Sequence, residues 1–502
     1  MMRTALASTS FLAALLSVAQ ADASALHYAG TITEKELKEH LTVLSGDQYQ
    51  GRDTGKEGQK MAAAYLKEQF VRFGISPVPN SEPGTIIEGY FQPYDLIETR
   101  SGGIRIEMTD RTLEYMRELV YFNEVLKTDI SLTRVVYLGA TVDLSKTVLK
   151  GKAVLLDAAG LGEGAEVLGL LRGRVDQCKA AGATLVLVSV PAIAKMVEGV
   201  HAGGTRVRLA DGDPKADQGG NGVQTIFVDA RAVDTLLGKV TLAKLARKKR
   251  AREVALRCEI KVSPQEQRIV AENVLAYIEG ADKKDELVVI TAHYDHIGIE
   301  NGVVYNGADD DGSGTVALLE IAQAFALAKA EGHGPRRSVL VMPVSGEEKG
   351  LLGSRYYSEH PVFPLGATVA DLNIDMIGRF DSAHAASPPY VYVIGSDRLS
   401  SELHTINERA NSTYAHLDLD YTFNAESDPN RFYFRSDHYN FARKGVPSIF
   451  YFSGVHEDYH QPTDDVSKIR FDLLHQRALL VFHTAWILAN QEDRIVVDRP
   501  MK

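Results

Sequence analysis

The sequence predicts an α/β fold with a mostly parallel central sheet and a smaller inserted αβ domain. Two patterns in its 502 residues carry that reading. Beyond residue 265, short continuous apolar runs recur at Leu287–Ala292, Val339–Val344, Val369–Ile374, Tyr390–Ile394 and Ser448–Phe452, and a long helical pattern, Thr315–Ala330, lies between the first two. Runs that are continuous rather than alternating, and that are separated by helices, indicate a sheet buried on both faces. From about 130 to 262 the character changes to a Gly-rich αβ pattern without any His-and-carboxylate cluster, which reads as an insert. Hydrophobic content of 45% with 24% charged residues is ordinary globular composition, and a chain of this length accommodates two or three domains.

Taken in order, the chain opens with Arg3 and an apolar, small-residue stretch from Ala5 to Ala21. It is followed by Ala19-Gln20-Ala21 and Ala23-Ser24-Ala25, either of which suits signal peptidase. Residues 1–25 are therefore expected to be an export signal, with the mature protein periplasmic or extracellular. No later run reaches the roughly 18 apolar residues of a membrane span, so no membrane anchor is expected. Residues 26–129 form the N-terminal part of the main domain, helical over Glu34–His40 and Gly58–Phe73. The insert, 130–262, has strand-like Lys152–Asp157, helical Leu170–Ala181, strand-like Ala183–Val188 and Gln224–Val228, and a basic run, Lys244–Arg252, that reads as a solvated helix face. Residues 263–502 supply the rest of the main domain. The net charge of −11 argues against a nucleic-acid partner, since phosphate contacts need surplus Lys and Arg. Two cysteines, Cys178 and Cys258, exclude a disulfide framework and leave their own pairing open. Asn411-Ser-Thr413 is a glycosylation acceptor only in a eukaryotic secretory pathway.

The strand runs of the last segment end in unusual residues. Leu287–Ala292 leads to His293-Tyr-Asp295-His296, Val339–Val344 to Glu347-Glu348, Val369–Ile374 to Asp375, and Ser448–Phe452 to a loop with Tyr459-His460. Asp309-Asp310-Asp311 sits where the Thr315 helix begins. Ligands of open α/β sheets bind beyond the carboxyl ends of the strands, so these groups are placed to converge. Imidazole and carboxylate without thiolate suit zinc or a similar divalent metal at a catalytic site. One divalent ion would leave two histidines and three carboxylates negative, so the charge favours two. The adjacent Glu347 and Glu348 divide naturally into a base and a ligand.

His293-Tyr-Asp295, Asp309-Asp310-Asp311-Gly-Ser-Gly314, Gly346-Glu347-Glu348-Lys-Gly-Leu-Leu-Gly-Ser354, Asn373-Ile-Asp375-Met and Tyr459-His460-Gln-Pro-Thr-Asp464 resemble the co-catalytic two-zinc aminopeptidase family. That family also contains glutamate carboxypeptidase and the transferrin receptor ectodomain. The likeness extends to Gly51-Arg52-Asp-Thr-Gly55-Lys-Glu-Gly58, and the insert resembles a protease-associated domain. The resemblance implies a three-layer αβα peptidase domain and two Zn²⁺ per chain, with Asp310 bridging, His293 and Asp375 on one metal, and Glu348 and His460 on the other. It implies Glu347 as general base and Tyr459 as a stabiliser of the tetrahedral intermediate, or a packing partner of His460. Asp295, two residues after His293 on an extended chain, is expected to accept that ring's N–H. The expected activity is exopeptidase hydrolysis of peptides, aminopeptidase first. A carboxypeptidase or dipeptidase and a non-catalytic binding protein are the alternatives. A homodimer stays open, as does the role of Ser436-Asp437-His438. A carboxypeptidase needs a cation for the substrate carboxylate, which Arg379, Arg431 or Arg435 would supply.

Two further motifs are discounted. His456-Glu457-Asp-Tyr-His460 matches the single-zinc signature H-E-x-x-H, which works only on a helix, and here it follows Gly454 and precedes Pro462. Gly160-Leu-Gly162-Glu-Gly-Ala165 imitates a dinucleotide fingerprint, but the carboxylate at the required distance, Asp176, falls in a helical pattern.

Overall fold

The structure is a computed structural model. It describes the chain from residue 23 to 499 except 80–85, 101–103, 122–128, 140, 145–146, 160–164, 192, 201–204, 212–223, 249, 263–264 and 387–388. The expected export signal lies outside the described residues up to residue 22, as does the Gly-rich stretch before Ala165. The chain divides into two compact units, residues 1–95 with 270–502, and residues 96–269.

In the first unit, helix α1 (Glu34–Leu44) starts at Thr33, whose hydroxyl accepts from the Glu36 amide. It buries Leu37, Leu41 and Leu44, the one-face spacing of an amphipathic helix. Helix α2 (Glu57–Arg72) buries Ala62, Ala63, Leu66 and Phe70. The turn between them requires glycine at Gly51: φ is +64°, and a Cβ there would lie 2.3 Å from the Tyr305 carbonyl oxygen.

The central sheet is built from β1 (Ala276–Ile278), β2 (Lys283–His293), β3 (Arg337–Val344), β4 (Thr368–Ile374), β5 (Tyr390–Ile394), β6 (Asp418–Asp420) and β7 (Ser448–Phe452). Their spatial order is β1-β3-β2-β4-β7-β5-β6. The middle four run parallel, β1 pairs antiparallel with β3 and β5 antiparallel with β7, and β6 runs parallel to β5. Every residue of β3, β4, β5 and β7 is buried, as continuous apolar runs require. Helix α3 (Gly314–Ala330) is buried almost all round and joins α1, α2 and the 20-residue helix α4 (Phe471–Asn490) in one apolar core. Helix α4 has no counterpart among the expected elements, although Leu474, Ala478, Val481 and Ala485 recur at helical spacing.

The second unit has an eight-stranded sheet. Four of its strands, Ile130–Gly139, Ala153–Asp157, Leu185–Val190 and Gln224–Asp229, run parallel, and Arg252–Val262 returns antiparallel along Ile130–Gly139. Strands Ile104–Glu107 and Thr112–Glu114 extend the same sheet. The basic run ends the short helix Leu242–Ala246, whose Leu242 and Leu245 are buried, and passes into the strand at Arg252. Cys178 and Cys258 are free and buried. Among the described residues no helix is long and apolar enough to cross a membrane. Asn411 is buried, and its side-chain amide bonds both backbone groups of Leu417, so it is not presented for glycosylation.

Candidate metal centre

The parallel strands deliver the expected groups to one edge of the sheet. His293 is the last residue of β2, Asp375 follows β4 directly, Glu347 and Glu348 lie just past β3, and the loop after β7 returns Tyr459 and His460. The Asp triplet precedes α3. Its outer members are occupied with backbone: Asp309 accepts from the Gly378 amide at 2.6 Å, and Asp311 accepts from Gly314 and Met376, each at 2.9 Å, and from His293 at 3.2 Å. The Asp464 carboxylate accepts from the amides of Asp309 and Asp310 at 3.0 and 3.1 Å. Asp309 also holds His456 Nε2 at 3.1 Å, so the middle carboxylate is the one left to face His293, His296 and His460.

Asp310 does so with both oxygens. Oδ1 lies 3.3 Å from His293 Nε2, and Oδ2 lies 3.1 Å from His460 Nε2. Around the first gather Asp375 Oδ1, 3.6 Å from His293 Nε2, and Glu347 Oε2, 3.9 Å from it. Around the second, Glu348 Oε2 is 3.2 Å from His460 Nε2. His296 joins this side, with Nδ1 2.8 Å from Glu348 Oε1 and 3.9 Å from Asp310 Oδ2. His296 is the site residue to which sequence reasoning gave no role. The signal was present, three residues beyond His293 at a strand end, but a loop position gives no direction for a side chain.

The neighbours orient these groups. Arg52, fully buried, donates to the carbonyls of Leu44, Tyr294, Asn306 and Gly307 at 2.7–2.9 Å, clamping the loops behind the site. Ser436 Oγ donates to Asp375 Oδ2 at 2.7 Å and accepts from Asn373 at 2.8 Å. Asp437 bonds Ser354, and the buried His438 ring stacks on Phe450. Within Ser436-Asp437-His438, Ser436 is therefore the residue that holds Asp375. Asp295 differs from expectation. The partner of His293 Nδ1, at 3.1 Å, is the Asp295 backbone carbonyl, while its nearer carboxylate oxygen is 3.8 Å away. The carboxylate instead accepts from Thr54 Oγ1 at 2.7 Å and from the Glu347 amide at 3.2 Å, because the chain turns before it can face the ring. Either way the Nδ1 proton is fixed and Nε2 is left facing the carboxylates. Tyr459 stacks on His460, ring centroids 3.9 Å apart, and its hydroxyl accepts from Arg435 at 3.3 Å.

Charge is distributed unevenly. Burial, reinforced by Asp375 and Glu348, pushes the Glu347 carboxyl well above the usual range. Burial opposes ionisation of Asp310 and Glu348 too, but the histidines beside them prevail, holding Asp310 well below normal and Glu348 at about 2. Against its own burial, His460 is raised to about 10 by Asp310 and Glu348. Glu347 is thus shifted toward its protonated form, while Asp310 and Glu348 are held ionised.

The donor set itself tests the fit to a metal. His293, Asp310 and Asp375 present ligand atoms within 4.8 Å of one another, and His296, Asp310 and Glu348 do likewise, with Asp310 common to both. Buried His296 Nδ1, Glu348 Oε1 and Asp310 Oδ2 make no aligned hydrogen bond. Nitrogen and carboxylate oxygen in two groups sharing one carboxylate fit zinc or a similar divalent ion. The H-E-x-x-H match does not form a metal site, since residues 457–460 are turn rather than helix. His456 bonds Asp309, and Glu457 is exposed beside Arg379. Of the three arginines, Arg379 is held by Asp458, Arg431 lies over Phe434, and Arg435 lines the cavity at the site.

Fold and site together define an α/β domain whose sheet edge gathers His and carboxylate groups suited to a divalent metal. Residues 273–485 match the model of peptidase family M28. It is similar to a probable glutamate carboxypeptidase (AMP1) of Arabidopsis thaliana, 37% identical over 118 residues, covering 23% of this chain and 16% of that protein. It is also similar to leucine aminopeptidase 1 of Penicillium rubens, 28% identical over 224 residues, covering 43% of this chain and 56% of that protein. The chain thus spans less than two thirds of either relative's length. Among solved structures, the aminopeptidase from Aneurinibacillus sp. strain AM-1 superposes with a TM-score of 0.56 at 18% identity, covering 94% of this chain and 98% of that one. The zinc aminopeptidase of Bacillus subtilis gives 0.52 at 17% identity, covering 94% and 99%. At these identities the structures show a shared fold.

Proposed function

We propose that this protein is an exported, zinc-dependent exopeptidase, and most specifically an aminopeptidase, holding two metal ions per chain. The single observation that carries this reading is the pair of His/carboxylate groups that share Asp310. His293 and Asp375 would hold one ion, Glu348 and His460 the other, with His296 as a further donor on the second side. Bound divalent ions supply a water acidified toward neutrality and a polarised carbonyl. Glu347 removes a proton from the attacking water as its oxygen adds to the scissile carbon, then returns that proton to the leaving amine nitrogen. Asp295 positions Glu347 through its amide. The Tyr459 hydroxyl, held by Arg435, faces the developing oxyanion.

The substrate end is read from the cavity at the site. Its wall carries the acids Asp310, Glu347 and Asp375, an apolar face of Met376, Phe432, Phe450, Phe452 and Val455, and one cation, Arg435. The apolar face suits an uncharged side chain. Arg435 supports the second reading, a carboxypeptidase, in which its guanidinium holds the substrate carboxylate. A panel of aminoacyl fluorogenic substrates beside N-blocked peptides separates the two. Cleavage of the aminoacyl compounds alone is expected, and cleavage of the blocked peptides alone overturns the aminopeptidase reading. The second unit is proposed as an insert of protease-associated type. For export, Ala25 is buried in the core next to Tyr28 and Ala29, which favours cleavage after Ala21 and keeps helical residues 23–29 in the mature protein.

A further inference from the structure

Strand β4 departs from the apolar rule of its sheet on one face. Asp371, Asn373 and the following Asp375 alternate with Leu372 and Ile374, so the three polar side chains share that face. Asp371 and Asn373 are fully buried, and so is Thr291, which stands beside Asn373 on β2. Polar groups are costly in a core unless hydrogen bonds satisfy them. Here they form one line. Ser436 Oγ lies 2.7 Å from Asp375 Oδ2 and 2.8 Å from Asn373 Nδ2. Thr291 Oγ1 lies 2.8 Å from Asn373 Oδ1 and 2.9 Å from Asp371 Oδ1, and Asp371 Oδ2 makes no hydrogen bond.

The protons in this line can be counted, because each hydroxyl has a single one to donate. A metal-ligating carboxylate is ionised and only accepts, so the Ser436 proton goes to Asp375. Ser436 must then accept from Asn373, which turns the amide nitrogen toward Ser436 and the amide oxygen toward Thr291. The Thr291 proton goes to that oxygen. Asp371 Oδ1, at hydrogen-bond distance from the same hydroxyl, must therefore be the donor, and an ionised carboxylate has no proton to give. The unpartnered Oδ2 agrees: a buried charge left partly unsatisfied costs far more than a neutral carbonyl oxygen. Burial, reinforced by Asp437, pushes the Asp371 carboxyl well above the usual range.

We propose that Asp371 is a positioning residue of the metal centre: as a neutral carboxylic acid it donates the first of a one-way series of hydrogen bonds through Thr291, Asn373 and Ser436 into Asp375. The proposal rests on the reading of Asp375 as a metal ligand. The series fixes the Ser436 proton on Asp375 Oδ2 and leaves Oδ1, the oxygen beside His293, free to ligate.

The test joins infrared difference spectroscopy to zinc titration. The spectrum of the zinc-loaded wild-type protein minus that of Asp371→Asn should contain the C=O band of a protonated carboxyl, shifted in D₂O. In a competitive chelator titration, Thr291→Val and Asp371→Leu, which break the line at nearly constant volume, should each weaken zinc binding by about 10-fold. Asp371→Asn, whose amide donates in place of the acid, should keep wild-type affinity. The proposal is overturned if the difference spectrum shows carboxylate bands alone, the signature of an ionised Asp371 that accepts from Thr291. It is equally overturned if Thr291→Val and Asp371→Leu bind zinc as the wild type does, or if Asp371→Asn loses as much affinity as Asp371→Leu. Failure of the metal reading looks different: the wild-type protein itself takes up no zinc, and the proposal falls with it.

Discussion

The two units set parallel apolar strands side by side in the same way, yet among the described residues only the first gathers a His-and-carboxylate group that could hold a metal. In the second unit Asp157 and Asp229 close their strands, as Asp375 follows β4 in the first. Asp157 accepts from the Ala159 amide and from the Tyr137 hydroxyl, each at 3.0 Å, and Asp229 caps the helix Ala230–Leu237 by accepting from the Arg231 amide. Both carboxylates serve local structure. Asp310, Glu347, Glu348 and Asp375 instead face one another and three imidazoles across a few ångströms. A carboxylate at a strand end is therefore not a site; several of them left over after the backbone is served are.

The largest effect that sharpens this contrast is expected at Glu347. Glu347→Gln should lower kcat by about 10²–10⁴-fold, the usual range for a general acid–base group, whereas Asp157→Asn should leave kcat unchanged. Equal kcat in both variants would erase the distinction between the two strand edges. Next comes His296→Ala, expected to weaken metal binding by about 10–100-fold in a competitive chelator titration, as loss of a ligand-orienting group does. Unaltered affinity would make His296 a packing residue. In the second unit, Asp229→Ala should cost about 1 kcal/mol in urea unfolding through loss of the helix cap, with activity of the folded protein retained. Smallest is the response of the thiols. Burial pushes Cys258 up to about 12 and raises Cys178, so neither should react with a disulfide reagent at pH 8 until the protein unfolds. Rapid labelling of the native protein would show that the core of this unit is open.

The strands of the main sheet were legible because a sheet buried on both faces requires continuous apolar runs. Tyr390–Ile394 and Ser448–Phe452 coincide with the expected segments, and the expected helix Thr315–Ala330 starts one residue earlier. The antiparallel placement of β5 was not legible, because strand direction depends on how the chain returns rather than on the strand's own residues. In the site, His293, Asp310, Glu348, Asp375 and His460 were named from motifs, and the structure places them around one shared carboxylate. The roles of Asp295 and His296 depended on the path of the loop after His293. Period-two spacing put the Asp295 carboxylate on the ring, and the turn put its carbonyl there instead.

The most direct measurement is elemental analysis of metal after exhaustive dialysis, made on the wild-type protein and on Glu347→Gln together with their turnover of an aminoacyl substrate. Two zinc ions per chain in both proteins are predicted, with turnover lost only in the variant. An active wild-type protein without bound metal, or a Glu347→Gln protein that keeps full turnover, would contradict the account.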